Sequence, residues 1–212
     1  SSRSAKEAEE RRATDKRAAS VSAAPASKRR TRHAERRELG AWRSAIAAVS
    51  SGWCDAELQA LPCKIMPWLL LGDAATASQL EVLRGCSVTH VLNVAGSGEG
   101  CQKVAVAAGA KYKQLNAQDR EDYPILQMHW AEAWAFLREA RDQDGVALVH
   151  CQGGVNRAGC VAAAALMVQE RMPVVAAVQR CKAVRGTVLV NAGFQQELVR
   201  LAEAEGLLGE LP

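Results

Sequence analysis

Val149-His150-Cys151-Gln152-Gly153-Gly154-Val155-Asn156-Arg157-Ala158-Gly159 is a strand end, a tight glycine turn and a helix start in direct succession. Val146 to Val149 before it is a short apolar run of the buried-strand type. Ala158 to Val168 after it is alanine and aliphatic with almost no polar face, which predicts a buried central helix. Gly153 and Gly154 let the backbone curl until successive N–H groups face one concavity, and the helix beginning near Arg157 aims its positive end at the same point. Such a nest holds an anion, and Gln152, Gly153, Gly154, Val155 and Asn156 are its expected phosphate-binding residues together with Arg157. Cys151 stands at its mouth, where the same groups favour a thiolate over a thiol and make the sulfur a nucleophile. Arg157 can turn back and present its planar fork to two phosphate oxygens. His150 precedes the nucleophile on the strand, so it is expected to orient the loop by hydrogen bonding, not to act as a base. The competing reading is a cysteine followed by an ordinary glycine loop. Five residue types at set spacing arise by chance on the order of once in ten thousand chains, which favours the cradle. A Walker loop is excluded because no Gly-Lys-Ser/Thr follows.

Outward from this segment, strands and helices alternate, the pattern of one α/β domain. Ile65-Met66, Trp68 to Leu71, Val88 to Val94 and Lys111 to Leu115 read as strands. Ala77 to Arg84, Lys103 to Ala108, Ile125 to Arg141, Pro173 to Lys182 and Ala192 to Ala204 read as helices, the last with Asn191 as N-cap. The 212 residues suit one domain and a tail. Residues 1–37 hold 12 Lys and Arg against 5 Asp and Glu, and residues 38–212 hold 15 against 18, so the basic character lies at the N-terminus. Residues 1–52 are expected to be a disordered basic tail and lead-in, with transient helix around Ala5 to Arg17, and residues 53–212 the folded domain. Lys28-Arg29-Arg30-Thr31-Arg32 suits a nuclear address, a phosphate-binding arm or a solvated segment, the last being favoured. Five acids argue against a transit peptide, and the N-terminus has no apolar centre of a secretory signal. No window approaches the roughly 18 apolar residues of a membrane span. Seven cysteines without a CxxC pair suggest reduced, intracellular thiols and no zinc site. The location expected is cytoplasmic or nuclear.

The His150 to Gly159 segment, HCxxGxxRxG, resembles the signature of the cysteine-dependent protein tyrosine phosphatase superfamily, and its surroundings resemble the small atypical dual-specificity protein phosphatases. Trp68-Leu69-Leu70-Leu71-Gly72, Val88 to Ala95, Arg185 and Asn191-Ala192-Gly193-Phe194 match that branch, over about Lys64 to Glu203. The resemblance implies a central mixed, mostly parallel sheet of about five strands flanked by helices, and no metal or organic cofactor. Two departures stand out. Val188-Leu189-Val190 lies where the family usually has prolines nearby, and Ala158 replaces the Ser or Thr whose hydroxyl stabilises the departing cysteine thiolate.

Thiolate attack on a phosphate monoester expels a poor leaving group unless an acid protonates it. The polar loop Asn116 to Pro124 offers Asp119, Glu121 and Asp122, and chemistry alone leaves the choice open. Asp119, seven residues after Tyr112, has the spacing of the family's general acid, so the resemblance selects it. His33, His90 and His129 show no partner pattern, and Cys160 is expected in the core. No Lys or Arg lies between Cys151 and Arg157 to meet extra phosphates, which favours singly phosphorylated protein substrates over phosphoinositides. The short chain leaves little room for the long loop of phosphotyrosine-only pockets, so hydrolysis of phosphotyrosine and phosphoserine or phosphothreonine is expected, by a monomer without nucleic-acid or membrane partners. Two other readings remain at this point: a slow or inactive module that binds phosphoproteins, and a phosphatase for glucan or RNA.

Overall fold

Val146 to Val149 has no polar face because it runs through the middle of the sheet, covered on both sides. The computed structural model describes residues 26–51, 61–96 and 99–211, with the backbone alone for 26–38 and 99. Among the described residues, β1 (Cys63–Met66), β2 (Leu69–Gly72), β3 (Val88–Ala95), β4 (Lys111–Ala117) and β5 (Val146–His150) form one sheet in the order β1-β2-β5-β3-β4. β1 is antiparallel to β2, and the other neighbours are parallel. This is the mixed, mostly parallel architecture expected, with β5 at its centre.

Alternate side chains point to opposite faces of a strand. Leu69, Leu71, Leu92, Val94, Ala147 and Val149 enter the larger core, with α5 (Ile125–Asp142), α6 (Arg157–Gln169), α7 (Val174–Arg185) and α8 (Ala192–Ala204). Leu70, Val91 and Leu148 enter the smaller one, beneath α2 (Ala74–Ala77), α3 (Leu80–Gly85) and α4 (Glu99–Ala107). Every residue of α6 from Ala158 to Met167 is buried, which explains its lack of a polar face.

Four expectations are corrected. The single helix expected over Ala77 to Arg84 is two short ones. Asp73 caps the first by accepting from the Thr76 N–H at 2.8 Å and the Thr76 hydroxyl at 2.6 Å, and a break follows at Ser78. The helix expected from Lys103 begins at Glu99, and that expected to reach Lys182 continues to Arg185. The largest correction concerns residues 1–52: residues 26–51 are α1 (Ala26–Ser51), an α-helix and not disordered chain, and the compact unit that holds the sheet begins at Leu39, not at 53. Leu39, Trp42, Ala45, Ile46 and Val49 recur at helical spacing, and Trp42 and Ile46 are buried in the larger core. The Lys182 ammonium donates to the Ser50 carbonyl at 3.1 Å, satisfying a group that the helix end leaves open. The helix expected around Ala5 to Arg17, like the rest of residues 1–25, lies outside the described residues.

Candidate active site

At the carboxyl end of β5 the chain must turn within six residues, 151–156, before α6 begins at Arg157. Every carbonyl in that turn is engaged from outside. The Cys151 carbonyl meets His150 Nδ1 at 3.4 Å, and the Gln152 carbonyl accepts from the Ala74 N–H at 3.2 Å. The Gly153 and Gly154 carbonyls accept from Nη2 and Nε of Arg185, both at 3.1 Å. Those of Val155 and Asn156 accept from the N–H groups of Leu189 at 2.9 Å and Cys160 at 2.8 Å. With the carbonyls drawn outward, the N–H groups of residues 152–157 have no protein acceptor among the described residues. A row of unclaimed N–H groups at a helix N-terminus is an anion site. Gly154 makes the turn possible. Its φ is +61°, and a Cβ there would stand 2.7 Å from the Gly72 carbonyl oxygen.

The Cys151 residue is buried at the head of this turn, 2% exposed. Arg157 folds back from the start of α6, and its Nη1 donates to the Ala117 carbonyl at 3.2 Å, anchoring the guanidinium to the end of β4. Its Nε is buried without a hydrogen-bond acceptor among the described residues and lies 3.7 Å from Asp119 Oδ2. A buried guanidinium N–H left in that state is ready for a phosphate oxygen. Asp119 also accepts from the amides of Asn156 and Asn191, at 3.2 Å and 3.0 Å to Oδ1. Asp122 instead pairs with exposed Arg120, which holds its carboxyl below the usual range through hydrogen bonding. The structure therefore brings Cys151, the loop, Arg157 and Asp119 together and leaves Asp122 and Glu121 exposed to solvent.

Burial pushes the His150 imidazole from 6.5 down to about 4, against smaller opposing effects of the Cys151 carbonyl and Asp73. The ring is neutral at neutral pH, with Nδ1–H directed at the Cys151 carbonyl. An unfolded histidine takes up a proton near pH 6.5 that folded His150 refuses. The stabilisation is therefore whole above pH 6.5 and lost progressively as pH falls towards about 4. It amounts to about 3 kcal/mol at 1.36 kcal/mol per pKa unit. Burial lowers His90 and His129 in the same sense. Urea midpoints are expected to fall across that pH window in the wild type and to fall less steeply in His150→Asn, where His90 and His129 still contribute. A wild-type midpoint independent of pH would contradict the assignment.

His90 packs edge-on against Phe136, and His129 Nε2 meets the Tyr123 hydroxyl at 2.6 Å, so neither belongs to the cradle. His33 lies where only the backbone is described. Cys160 is fully buried with Sγ 3.7 Å from the Phe194 carbonyl, and burial raises its thiol well above the usual range. Among the described residues no group of three or more His, Cys, Asp or Glu side chains could hold a metal ion, and no helix is long and apolar enough to cross a membrane. Sequence reasoning missed the side-chain contacts of Asn156 and Asn191 with Asp119, and the hold of Arg185 on the turn.

Residues 69–204 match the family model described as dual specificity phosphatase, catalytic domain. The chain belongs to this family. It is 37% identical to mouse dual specificity protein phosphatase 19 over 134 residues, covering 63% of this chain and 59% of that one. It is 35% identical to Arabidopsis thaliana dual specificity protein phosphatase 1 over 144 residues, 68% of this chain and 70% of that one. The crystal structure of human DUSP28 superposes with a TM-score of 0.62 at 28% identity, over 68% of this chain and 95% of that one. The chain thus spans well under two thirds of the mouse relative's length. The matched segment contains the whole turn, Asp119 and Arg185, and begins after the part of α1 that is buried in the core.

Proposed function

We propose that this chain hydrolyses phosphate monoesters on phosphotyrosine and on phosphoserine or phosphothreonine of proteins, through a phosphocysteine intermediate. The observation that carries this reading is the loop of six engaged carbonyls, which turns its N–H groups inward above a buried cysteine and beside an arginine Nε without an acceptor. Family membership supports it. The Cys151 thiolate attacks phosphorus as the bond to the leaving oxygen breaks, and that oxygen takes a proton from the Asp119 carboxyl. Asp119, now a carboxylate, takes a proton from water as that water's oxygen bonds to phosphorus. The P–S bond breaks, releasing phosphate and restoring the thiolate. N–H groups of the loop and Arg157 hold the equatorial oxygens through both steps. The loops beside the cradle are short, 118–124 and 186–191, consistent with a shallow entrance open to both classes of phosphoresidue. Thiols without a CxxC pair support a reducing compartment, the cytoplasm or nucleus, as the place where it meets phosphorylated proteins.

Ala158 decides the kinetics. Without a hydroxyl to hydrogen-bond the departing thiolate, the second step loses about 1.5 to 3 kcal/mol, or roughly 10 to 100-fold in rate. Rapid mixing with an aryl phosphate is expected to release one equivalent of phenol in a burst, followed by a slow steady phase with trapped phosphoenzyme. Ala158→Ser is expected to raise the steady rate by about 10-fold or more. A linear progress curve without phosphoenzyme would reject the slow second step. A module that only binds phosphoproteins would release no phenol.

A further inference from the structure

From the sequence, Asn156 is one residue of the cradle and Asn191 one helix cap, yet both side chains converge on Asp119. Each amide is oriented unambiguously. Asn156 Oδ1 accepts from the N–H groups of Val190 at 3.0 Å and Asn191 at 3.1 Å. Asn191 Oδ1 accepts from those of Gly193 at 3.0 Å and Phe194 at 3.2 Å, as the N-cap of α8. With both oxygens occupied by backbone donors, each Nδ2 can only face the other way, towards Asp119. Asn156 Nδ2 reaches Oδ1 at 3.2 Å and Oδ2 at 3.4 Å, and Asn191 Nδ2 reaches Oδ1 at 3.0 Å. Oδ1 is the oxygen held by both amides. Oδ2 has the longer Asn156 contact and lies 3.7 Å from Arg157 Nε, on the side of the cradle.

The backbone of the acid-bearing loop is held at the same place. A Cβ on Gly193 would come within 1.8 Å of the Glu121 carbonyl oxygen, so the loop lies directly on the first turn of α8, and only glycine leaves it room. At the loop's far end the Tyr123 hydroxyl bonds His129 Nε2 at 2.6 Å.

We propose that Asn156 and Asn191 are positioning residues that clamp the Asp119 carboxyl against the cradle, with Gly193 providing the surface on which its loop rests. This inference rests on the phosphatase reading above and adds the groups that aim its proton donor. Holding a reacting group in place accounts for a large part of its effect, so releasing the clamp should weaken proton donation and leave phosphate binding intact.

Asn191→Ser tests this with little risk to the fold. Serine keeps a side-chain oxygen that can accept from the Gly193 and Phe194 N–H groups, and it ranks with Asn at helix N-caps. It removes the amide donor to Asp119 and brings no new charge to the cradle. kcat/KM is measured across aryl phosphates from phenyl to 2,4-dinitrophenyl, whose leaving groups differ in their need for a proton. The expected fall is about 10 to 100-fold with phenyl phosphate and less than about threefold with the dinitrophenyl ester, at unchanged vanadate affinity. In an Asp119→Asn background Asn191→Ser should add no further loss, since the group being aimed is already gone. Equal falls along the whole series, or full additivity with Asp119→Asn, would overturn the clamp and reduce both asparagines to structural supports. Wild-type protein that turns over none of the esters would overturn the phosphatase reading itself.

Discussion

Cys151→Ser is expected to reduce turnover of aryl phosphates and phosphopeptides by at least about 10⁴-fold, while phosphate-analogue binding survives. The two halves of this result have separate causes. Binding comes from N–H groups that are free because their carbonyl partners are held elsewhere, by the Ala74 and Leu189 backbone and by Arg185, and none of these contacts involves the Cys151 sulfur. Catalysis needs an atom that is ionised under working conditions, and a serine hydroxyl here has no base beside it. His150 cannot serve, since burial holds it near 4 and its Nδ1 is turned to the Cys151 carbonyl. The measurement pairs steady-state rates with calorimetric titration of a phosphopeptide into the Ser variant. Retained turnover would remove the phosphocysteine from the mechanism, and lost binding would show that the sulfur shapes the cradle.

Asp119→Asn is expected to slow turnover about 10² to 10⁴-fold, the usual contribution of one positioned proton donor. The amide keeps the size of the carboxyl and one oxygen for the Asn156 and Asn191 donors, so the loop should stay seated. The loss should be greatest for phosphotyrosine and phosphothreonine peptides, whose leaving oxygens need the proton most. Asp122→Asn is the control. That carboxylate is tied to Arg120 on the exposed side of the loop, and its replacement should leave the rate within about twofold. A full-rate Asp119 variant, or an Asp122 variant slowed as much, would reverse the assignment.

How much of this was legible in the sequence differs from feature to feature. The sheet was legible because Val146 to Val149 and Val88 to Val94 carry their apolar pattern in consecutive residues, and β5 and β3 follow those runs closely. The glycine turn was legible for the same reason, since a local motif needs no tertiary information to imply a cradle. What holds the turn open was not, because Arg185 lies more than thirty residues downstream of Gly153 and Gly154 and only the folded chain brings it beneath them. Asp119 and Asp122 look alike as loop carboxylates, and family resemblance alone separated them until Asn156 and Asn191 were seen to reach one and Arg120 the other. α1 was misread because charge and alanine dominate residues 1–37, and averaging over them hid the stripe that starts at Leu39.

The outward pull on the carbonyls of residues 151–156 makes the proposed anion recognition a collective property of the domain. Donors to those six oxygens come from β5, α2, α6, α7 and the stretch before α8, so a free peptide copied from residues 149–159 would keep only the His150 contact and lose the other five. Grafting the fingerprint onto another scaffold would carry over the reactive sulfur without the electrostatic mould that gives it a purpose.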